Sequence, residues 1–229
     1  MATRKTAMKR WLWTLTLLLS CTSRSGSADE RRAAPPAASA WSPSAAAVAL
    51  QASYDEEAAG RVEPSLAALD ALPAAQREGY LVQLRRGWLL EKLGRHEESA
   101  AAYGRAVLAD AAAVEARLGA LVPLAALRRW SDVESVARQV LERDPGSYTA
   151  QIRLAWALYS LARWSDSEAA YRRLATLYPA DAEVRSGRAW ALLKLGKSAE
   201  AAAAFVEVLE MSPRHALAQE GLRAARAAR

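Results

Sequence analysis

Few residues in this chain have side chains and spacings that could support catalysis or metal binding. The two histidines, His96 and His215, lie far apart, and neither belongs to a group of His, Cys, Asp and Glu at metal-ligand spacing. The sequence contains no glycine-rich phosphate loop and no signature of a serine hydrolase or a zinc protease. Glu97 and Glu98 are better explained as negative charge at a helix N-terminus than as an acid/base pair. We therefore predict that the protein is not an enzyme and holds no metal or cofactor.

The first twenty residues have the layout of a secretory signal peptide. A basic segment from Arg4 to Arg10 precedes an apolar run from Trp11 to Leu19, and small and polar residues follow. The apolar run is shorter than the roughly 20 residues that span a bilayer. We therefore predict a signal peptide over residues 1–20 and export of the mature protein to the periplasm.

Cys21 is the single cysteine, and two cleavage sites compete around it. Residues Leu18 to Cys21 resemble a bacterial lipobox, which implies cleavage before Cys21, lipidation of Cys21 and anchoring at the outer membrane. Gly26 to Ala28 resembles an ordinary signal-peptidase site, which implies cleavage after Ala28 and a soluble periplasmic or secreted protein. Residues 21–44 are rich in Ser, Ala and Pro, as in a flexible tether, and this favours lipidation.

The charge of the chain gives no case for nucleic-acid binding. The formal net charge is +6, but the first twenty residues hold four basic residues and no acidic one. The rest of the chain has 27 basic and 25 acidic residues, which alternate as they do on solvated helix faces. Nucleic-acid-binding domains usually present a basic patch or stripe. We predict no nucleic-acid partner.

The sequence repeats every 34 residues, and its abundant Ala, Leu, Glu and Arg favour helices. The clearest columns are Leu90, Leu124, Leu158, Leu192, then Leu93, Leu127, Leu161, Leu195, and finally Pro145, Pro179, Pro213. Four units of two helices each follow, namely residues 80–113, 114–147, 148–181 and 182–215. The S-x-x-E pattern at Ser165 predicts the N-cap of a second helix.

This pattern resembles the tetratricopeptide repeat family. The resemblance rests on the 34-residue period, on glycines at the turn between helices, on the closing prolines and on the aromatic column Tyr103, Tyr171 and Phe205. It implies an all-α fold, a right-handed α-solenoid of stacked helix pairs. Residues 45–79 are interpreted as a degenerate helical repeat and residues 216–229 as a C-terminal capping helix.

Aromatic residues recur on the first helices of these units. This aromatic stripe consists of Trp88, Trp156, Tyr159 and Trp190, and it is flanked by Arg85 and Arg153. By resemblance to the family, the stripe faces a groove in which partner peptides bind. The alternative is that the tryptophans pack between neighbouring first helices as part of the core. The groove interpretation makes these six residues the candidate binding site.

Two functions from different classes fit these features. The first is a non-catalytic protein–protein interaction scaffold in the cell envelope, which assists assembly or localisation of an outer-membrane or secreted partner in the manner of a pilotin. It predicts an envelope protein or peptide segment as partner, no small-molecule substrate, and membrane contact only through the lipid anchor. The alternative is a carbohydrate-associated module for polysaccharide export or cell-wall processing, with Trp and Tyr side chains stacking on sugars.

Overall fold

The computed structural model describes residues 42–228, and all regular structure within that range is helical. The helices are α1 (Ala45–Ala58), α2 (Val62–Asp70), α3 (Ala74–Arg77), α4 (Tyr80–Lys92), α5 (His96–Ala109), α6 (Glu115–Ala126), α7 (Trp130–Arg143), α8 (Tyr148–Ser160), α9 (Trp164–Leu177), α10 (Ala182–Lys194), α11 (Ser198–Met211) and α12 (Ala216–Ala227). The predicted all-α fold is confirmed. Cys21, both predicted cleavage sites and nearly all of the predicted tether lie outside the described residues.

The helices stack in pairs along the chain. The four predicted units contain α4–α5, α6–α7, α8–α9 and α10–α11. Each second helix packs against the first helix of its own pair and against that of the next, and consecutive first helices also contact one another. Apolar clusters fill these junctions, for example around Leu121 and around Phe205, both fully buried. The result is an α-solenoid in which burial between neighbouring units stabilises the array.

A shorter pair of helices, α1 and α2, precedes these units. The second helix, α2, has only nine residues and buries Leu66 and Leu69 in a cluster that includes Leu89 and Leu90 of α4. The single turn of α3 then leads into α4. This degenerate pair therefore covers the apolar face of the first full unit.

The turn inside each helix pair repeats one backbone conformation. Five residues spaced by 34 have positive φ angles, namely Gly60 (77°), Gly94 (70°), Arg128 (56°), Ala162 (59°) and Gly196 (77°). For a residue with a Cβ atom, this left-handed conformation costs roughly 1–2 kcal/mol. At Arg128 and Ala162 the packing of the helices imposes the conformation against the preference of the residue.

Second helices begin earlier than the sequence pattern predicts. Helix α9 begins at Trp164, its N-cap is Arg163, and no side chain caps it, so the prediction that Ser165 is the N-cap is wrong. The acidic residue of the pattern has another role, because Glu168 is almost buried and accepts a hydrogen bond of 2.9 Å from Nε of Arg188. The pattern therefore marks a contact between units rather than a cap.

Most junctions between units are closed by an aromatic ring packed on a glycine. The pairs are Tyr103 with Gly119, Tyr171 with Gly187, and Phe205 with Gly221, and a Cβ atom added at any of these glycines would overlap the ring. The junction between the second and third units differs. There Ala137 stands in the aromatic column and Arg153 stands in the glycine column. This exceptional junction borders the candidate functional site.

Candidate functional site

A pocket of about 680 Å³ opens between the first helices α8 and α10 and the last helix, α12. Its apolar wall consists of Tyr148, Ile152, Trp156, Tyr159, Tyr171, Trp190 and Leu217, and its polar groups come from Thr149, Arg153, Glu183, Ser186 and Glu220. We call it the C-terminal pocket. Its size and its mostly apolar lining with a few polar groups are typical of ligand-binding pockets. Four of the six residues proposed from the sequence line it, namely Arg153, Trp156, Tyr159 and Trp190.

Each of the two tryptophans of the pocket packs against another aromatic ring and remains partly exposed. Trp156 is 39% exposed, and its ring lies 5.0 Å from the ring of Trp130 between centroids. Trp190 is half-buried and meets the ring of Phe205 edge-on at 5.4 Å. The core interpretation of the stripe thus describes one side of each ring, and the groove interpretation describes the other side. The inner side packs against the protein, and the outer side faces the pocket.

Arg153 is the cation of the pocket. Its guanidinium carbon lies 5.4 Å from the centroid of the Trp156 ring, a distance at which the ring attracts a cation. Among the described residues, Arg153 forms no ion pair with an acidic side chain. Ser186 is also in the pocket wall, only 2% exposed, and its Oγ has no hydrogen-bond partner in the described part of the chain. Arg153 therefore gives the pocket a cation that no acidic side chain in the described part of the chain neutralises.

The tyrosines of the pocket remain protonated at neutral pH. Burial raises the pKa of Tyr159 and of Tyr171 above the ordinary value. Burial, followed by a hydrogen bond from the Tyr148 hydroxyl to Asp181, raises the pKa of Tyr148 to about 12. These phenols therefore contribute apolar area and hydroxyl groups, and no negative charge.

The negative charges of the pocket lie on α10 and α12, whereas Arg153 lies on α8. Glu183 is near the start of α10, and its Oε1 lies 3.3 Å from Nε2 of His215. His215 in turn caps α12, because its Nδ1 accepts a hydrogen bond from the backbone N–H of Ala218. Glu220 of α12 is exposed at the rim. Arg153 on α8 and Glu220 on α12 therefore carry opposite charges on two helices of the pocket that α10 separates.

Trp88 and Arg85 lie outside the C-terminal pocket, at the N-terminal end of the array. Arg85 is only 8% exposed, and its NH1 lies 2.6 Å from Oε2 of Glu57 in α1. Its Nε donates to Oγ of Ser53, and its guanidinium lies over the ring of Tyr54. The structure thus corrects the expectation that Arg85 flanks an open groove, because α1 covers and neutralises it.

Glu57 interacts with two cations and an indole N–H at this end of the array. It accepts hydrogen bonds from Nζ of Lys92 at 2.6 Å and from the indole N–H of Trp88 at 3.1 Å, in addition to pairing with Arg85. These donors, led by Lys92, lower the pKa of Glu57 from 4.5 to about 2. The cluster ties α1 to α4, and Trp88 remains largely exposed beside it.

The aromatic stripe is longer than the sequence analysis indicated. The column of Trp88, Trp156 and Trp190 also contains Tyr54 on α1 and Val122 on α6, both exposed. The 34-residue spacing could have identified both residues, and it could equally have identified Ser186 and Glu220, which continue the column of Ile152. Tyr148, at the start of α8, carried no such signal. Tyr171 of α9 belongs to the aromatic column, but the sequence gives no sign that a ring on a second helix reaches the pocket.

Two further features bear on the function. Residues 42–228 contain no group of three or more His, Cys, Asp and Glu side chains placed to hold a metal ion. Within the same range, every helix falls short of the length and apolarity needed to cross a membrane.

Comparison with known protein families identifies the repeat. Models described as tetratricopeptide repeat match residues 82–112, 124–191 and 186–228, which together make up more than half of the chain. No curated protein sequence matches the chain.

Solved structures with the same fold have low sequence identity. A MamA fragment from Desulfovibrio magneticus RS-1 is 15% identical, with a TM-score of 0.69, covering 76% of this chain and 98% of the fragment. A crystal structure of MamA protein is 14% identical, with a TM-score of 0.68 and coverage of 75% and 94%. A tetratricopeptide repeat protein from Parabacteroides merdae ATCC 43184 is 16% identical, with a TM-score of 0.59 and coverage of 79% and 84%. The chain therefore belongs to the tetratricopeptide repeat family, whose helix pairs form scaffolds that bind other proteins.

Proposed function

We propose that this protein is a non-catalytic scaffold of the cell envelope that holds a segment of another envelope protein in the C-terminal pocket. In this way it assists assembly or localisation of an outer-membrane or secreted partner, as a pilotin does. The observation that carries the proposal is an open pocket, on a fold that binds proteins, with exposed Trp156 and with Arg153, which pairs with no acidic side chain of residues 42–228. Trp, Tyr and Arg are the residue types that dominate the energetics of protein interfaces.

The exposed apolar area supports a polypeptide as the ligand. Leu217 at the pocket rim is 52% exposed, and Trp156, Val122 and Trp88, which share one repeat position on successive first helices, are exposed as well. Contiguous apolar area of this kind on a protein surface marks an interaction site. An extended segment bound in the pocket would cover Leu217 and could follow the stripe toward the N-terminal end of the array.

Photocrosslinking tests the location of the site. A photoreactive amino acid at Leu217, on the pocket rim, is compared with the same amino acid at Leu177 of α9, which is 59% exposed and lies outside the pocket. We expect a specific protein adduct from position 217 in cells of the native host, and none from position 177. Equal labelling at both positions contradicts the proposal. A glycan adduct at position 217 would instead support the carbohydrate-associated function.

The envelope location rests on the N-terminal sequence. The basic segment, the apolar run and Cys21 followed by a tether support export and lipid anchoring at the outer membrane. Replacing Cys21 by serine is expected to move the protein out of the membrane fraction or to block its maturation. If the Cys21→Ser variant matures and fractionates like the wild type, the anchor is disproved and cleavage after Ala28 becomes the better account.

A further inference from the structure

Arg153 occupies a position that an aromatic ring closes at three other junctions of the array. In its column, Gly119, Gly187 and Gly221 each pack under an aromatic ring of the preceding second helix. The ring is missing before Arg153, because Ala137 stands in the aromatic column. Space at this junction therefore admits a long side chain, and the side chain present is a cation.

Arg85 is the one other arginine in this column, and the comparison shows what Arg153 lacks. The partners of Arg85 are Ser53, Tyr54 and Glu57 of α1. Two periods later in the sequence, the corresponding residues before Arg153 are Leu121, Val122 and Ala125 on α6. All three are apolar, and none can accept a hydrogen bond through its side chain. Arg85 pairs with Glu57 of its own chain, whereas no acidic side chain of the described residues pairs with Arg153.

The surroundings of Arg153 favour an anion from outside. The guanidinium lies over the ring of Trp156 in a mostly apolar pocket, so a carboxylate bound there would pair with Arg153 beside apolar side chains. Hydrogen bonds between ionised partners in such a site are stronger than those between neutral groups. Glu220 lies on α12, which α10 separates from Arg153 on α8, and there it repels a second acid and attracts a base.

We propose that the segment bound in the C-terminal pocket has a fixed charge order: an acidic side chain at Arg153, large apolar side chains against Trp156 and Trp190, and a basic side chain at Glu220. The inference rests on the proposed function and specifies the partner's chemistry. Arg153 is the specificity-determining residue of the pocket. The opposite charges of Arg153 and Glu220 fix the direction in which the segment binds.

Synthetic peptides provide the test. Three heptapeptides, acetylated and amidated to remove terminal charges, share a Leu-Phe-Leu centre. The first has Glu before the centre and Lys after it, the second has the reverse order, and the third has Gln at both places. Their dissociation constants are measured by calorimetry with the wild type and with Arg153→Gln, Glu220→Gln and Arg173→Gln. Arg173 is exposed on α9 outside the pocket and serves as the matched control.

We expect one charged peptide to bind the wild type at least about tenfold more tightly than the neutral peptide, the gain of a charge-assisted hydrogen bond. Arg153→Gln should abolish this preference without weakening the neutral peptide, Glu220→Gln should reduce it, and Arg173→Gln should leave it unchanged. Equal binding of all three peptides to the wild type overturns the charge order and leaves the proposed function standing. If none of the peptides binds, a polypeptide-binding pocket is itself contradicted.

Discussion

Replacing Ala162 by glycine is expected to stabilise this protein, whereas glycine usually destabilises helical proteins. Ala162 lies in the turn between α8 and α9 with φ of 59°, in a column otherwise occupied by Gly60, Gly94, Arg128 and Gly196. The left-handed conformation costs a residue with a Cβ atom roughly 1–2 kcal/mol. Glycine avoids that cost but loses about 0.5–1 kcal/mol in backbone entropy on folding. The expected gain is therefore about 0.5–1 kcal/mol, or roughly 1–4 °C in Tm for a domain of this size.

Two control variants separate this effect from others. Gly196→Ala is expected to lose a similar amount, because a Cβ atom added there meets nothing within 4 Å and the cost is purely conformational. Ala203→Gly, at an exposed position inside α11, should lose about 1 kcal/mol. Urea denaturation of the three variants measures the changes. If Ala162→Gly destabilises the protein as much as Ala203→Gly does, the account of the turn is wrong.

Three further predictions concern stability. The pKa of Glu57 is lowered from 4.5 to about 2. The ionised carboxylate therefore adds roughly 3 kcal/mol at most to the free energy of unfolding. This stabilisation is complete above about pH 4.5 and is lost as the pH falls toward 2. Glu57→Gln should remove this part of the acid titration of the unfolding free energy, and identical titrations of variant and wild type would disprove it. Ala201 is fully buried, so Ala201→Glu should cost ~3 kcal/mol or more through overpacking and an unpaired charge, and a Tm within a degree or two of wild type would contradict that. His215→Ala should cost about 1 kcal/mol by uncapping α12, while His215→Asn should retain most of the stability; chemical denaturation that ranks the two variants equally would exclude the cap.

The fold was predictable because its stabilising contacts repeat in the sequence. Columns of apolar residues at a 34-residue period define both the helix faces and their order, and burial at each junction then requires the stacked arrangement. The start of the second helices was predicted less well. A serine followed three residues later by an acid usually marks an N-cap, but at Ser165 the acid binds Arg188 of the next unit. Contacts between units override the local signal there.

The candidate site was predictable only in part, because charge pairing depends on neighbours that the column pattern does not identify. Arg85 and Arg153 occupy equivalent positions, yet Arg85 is neutralised by Glu57 of a degenerate unit and Arg153 is not. The pocket also depends on α12, whose Leu217 and Glu220 complete its rim. From the sequence, α12 is predicted only as a capping helix, since a helix that covers the last unit and a helix that lines a pocket have the same apolar pattern.

The most direct test compares Trp156, which is 39% exposed, with Trp164, which is half-buried. Trp156 lines the C-terminal pocket, whereas Trp164, at the start of α9, does not. Truncating either one to alanine should lower the unfolding free energy by less than the ~3–5 kcal/mol typical of a core tryptophan. Each substitution is combined with the photoreactive amino acid at position 217, and the yield of the partner adduct is measured in cells. The account predicts that Trp156→Ala abolishes the adduct and that Trp164→Ala leaves it in place. Equal adduct yields from the two folded variants would contradict the assignment of the pocket as the binding site.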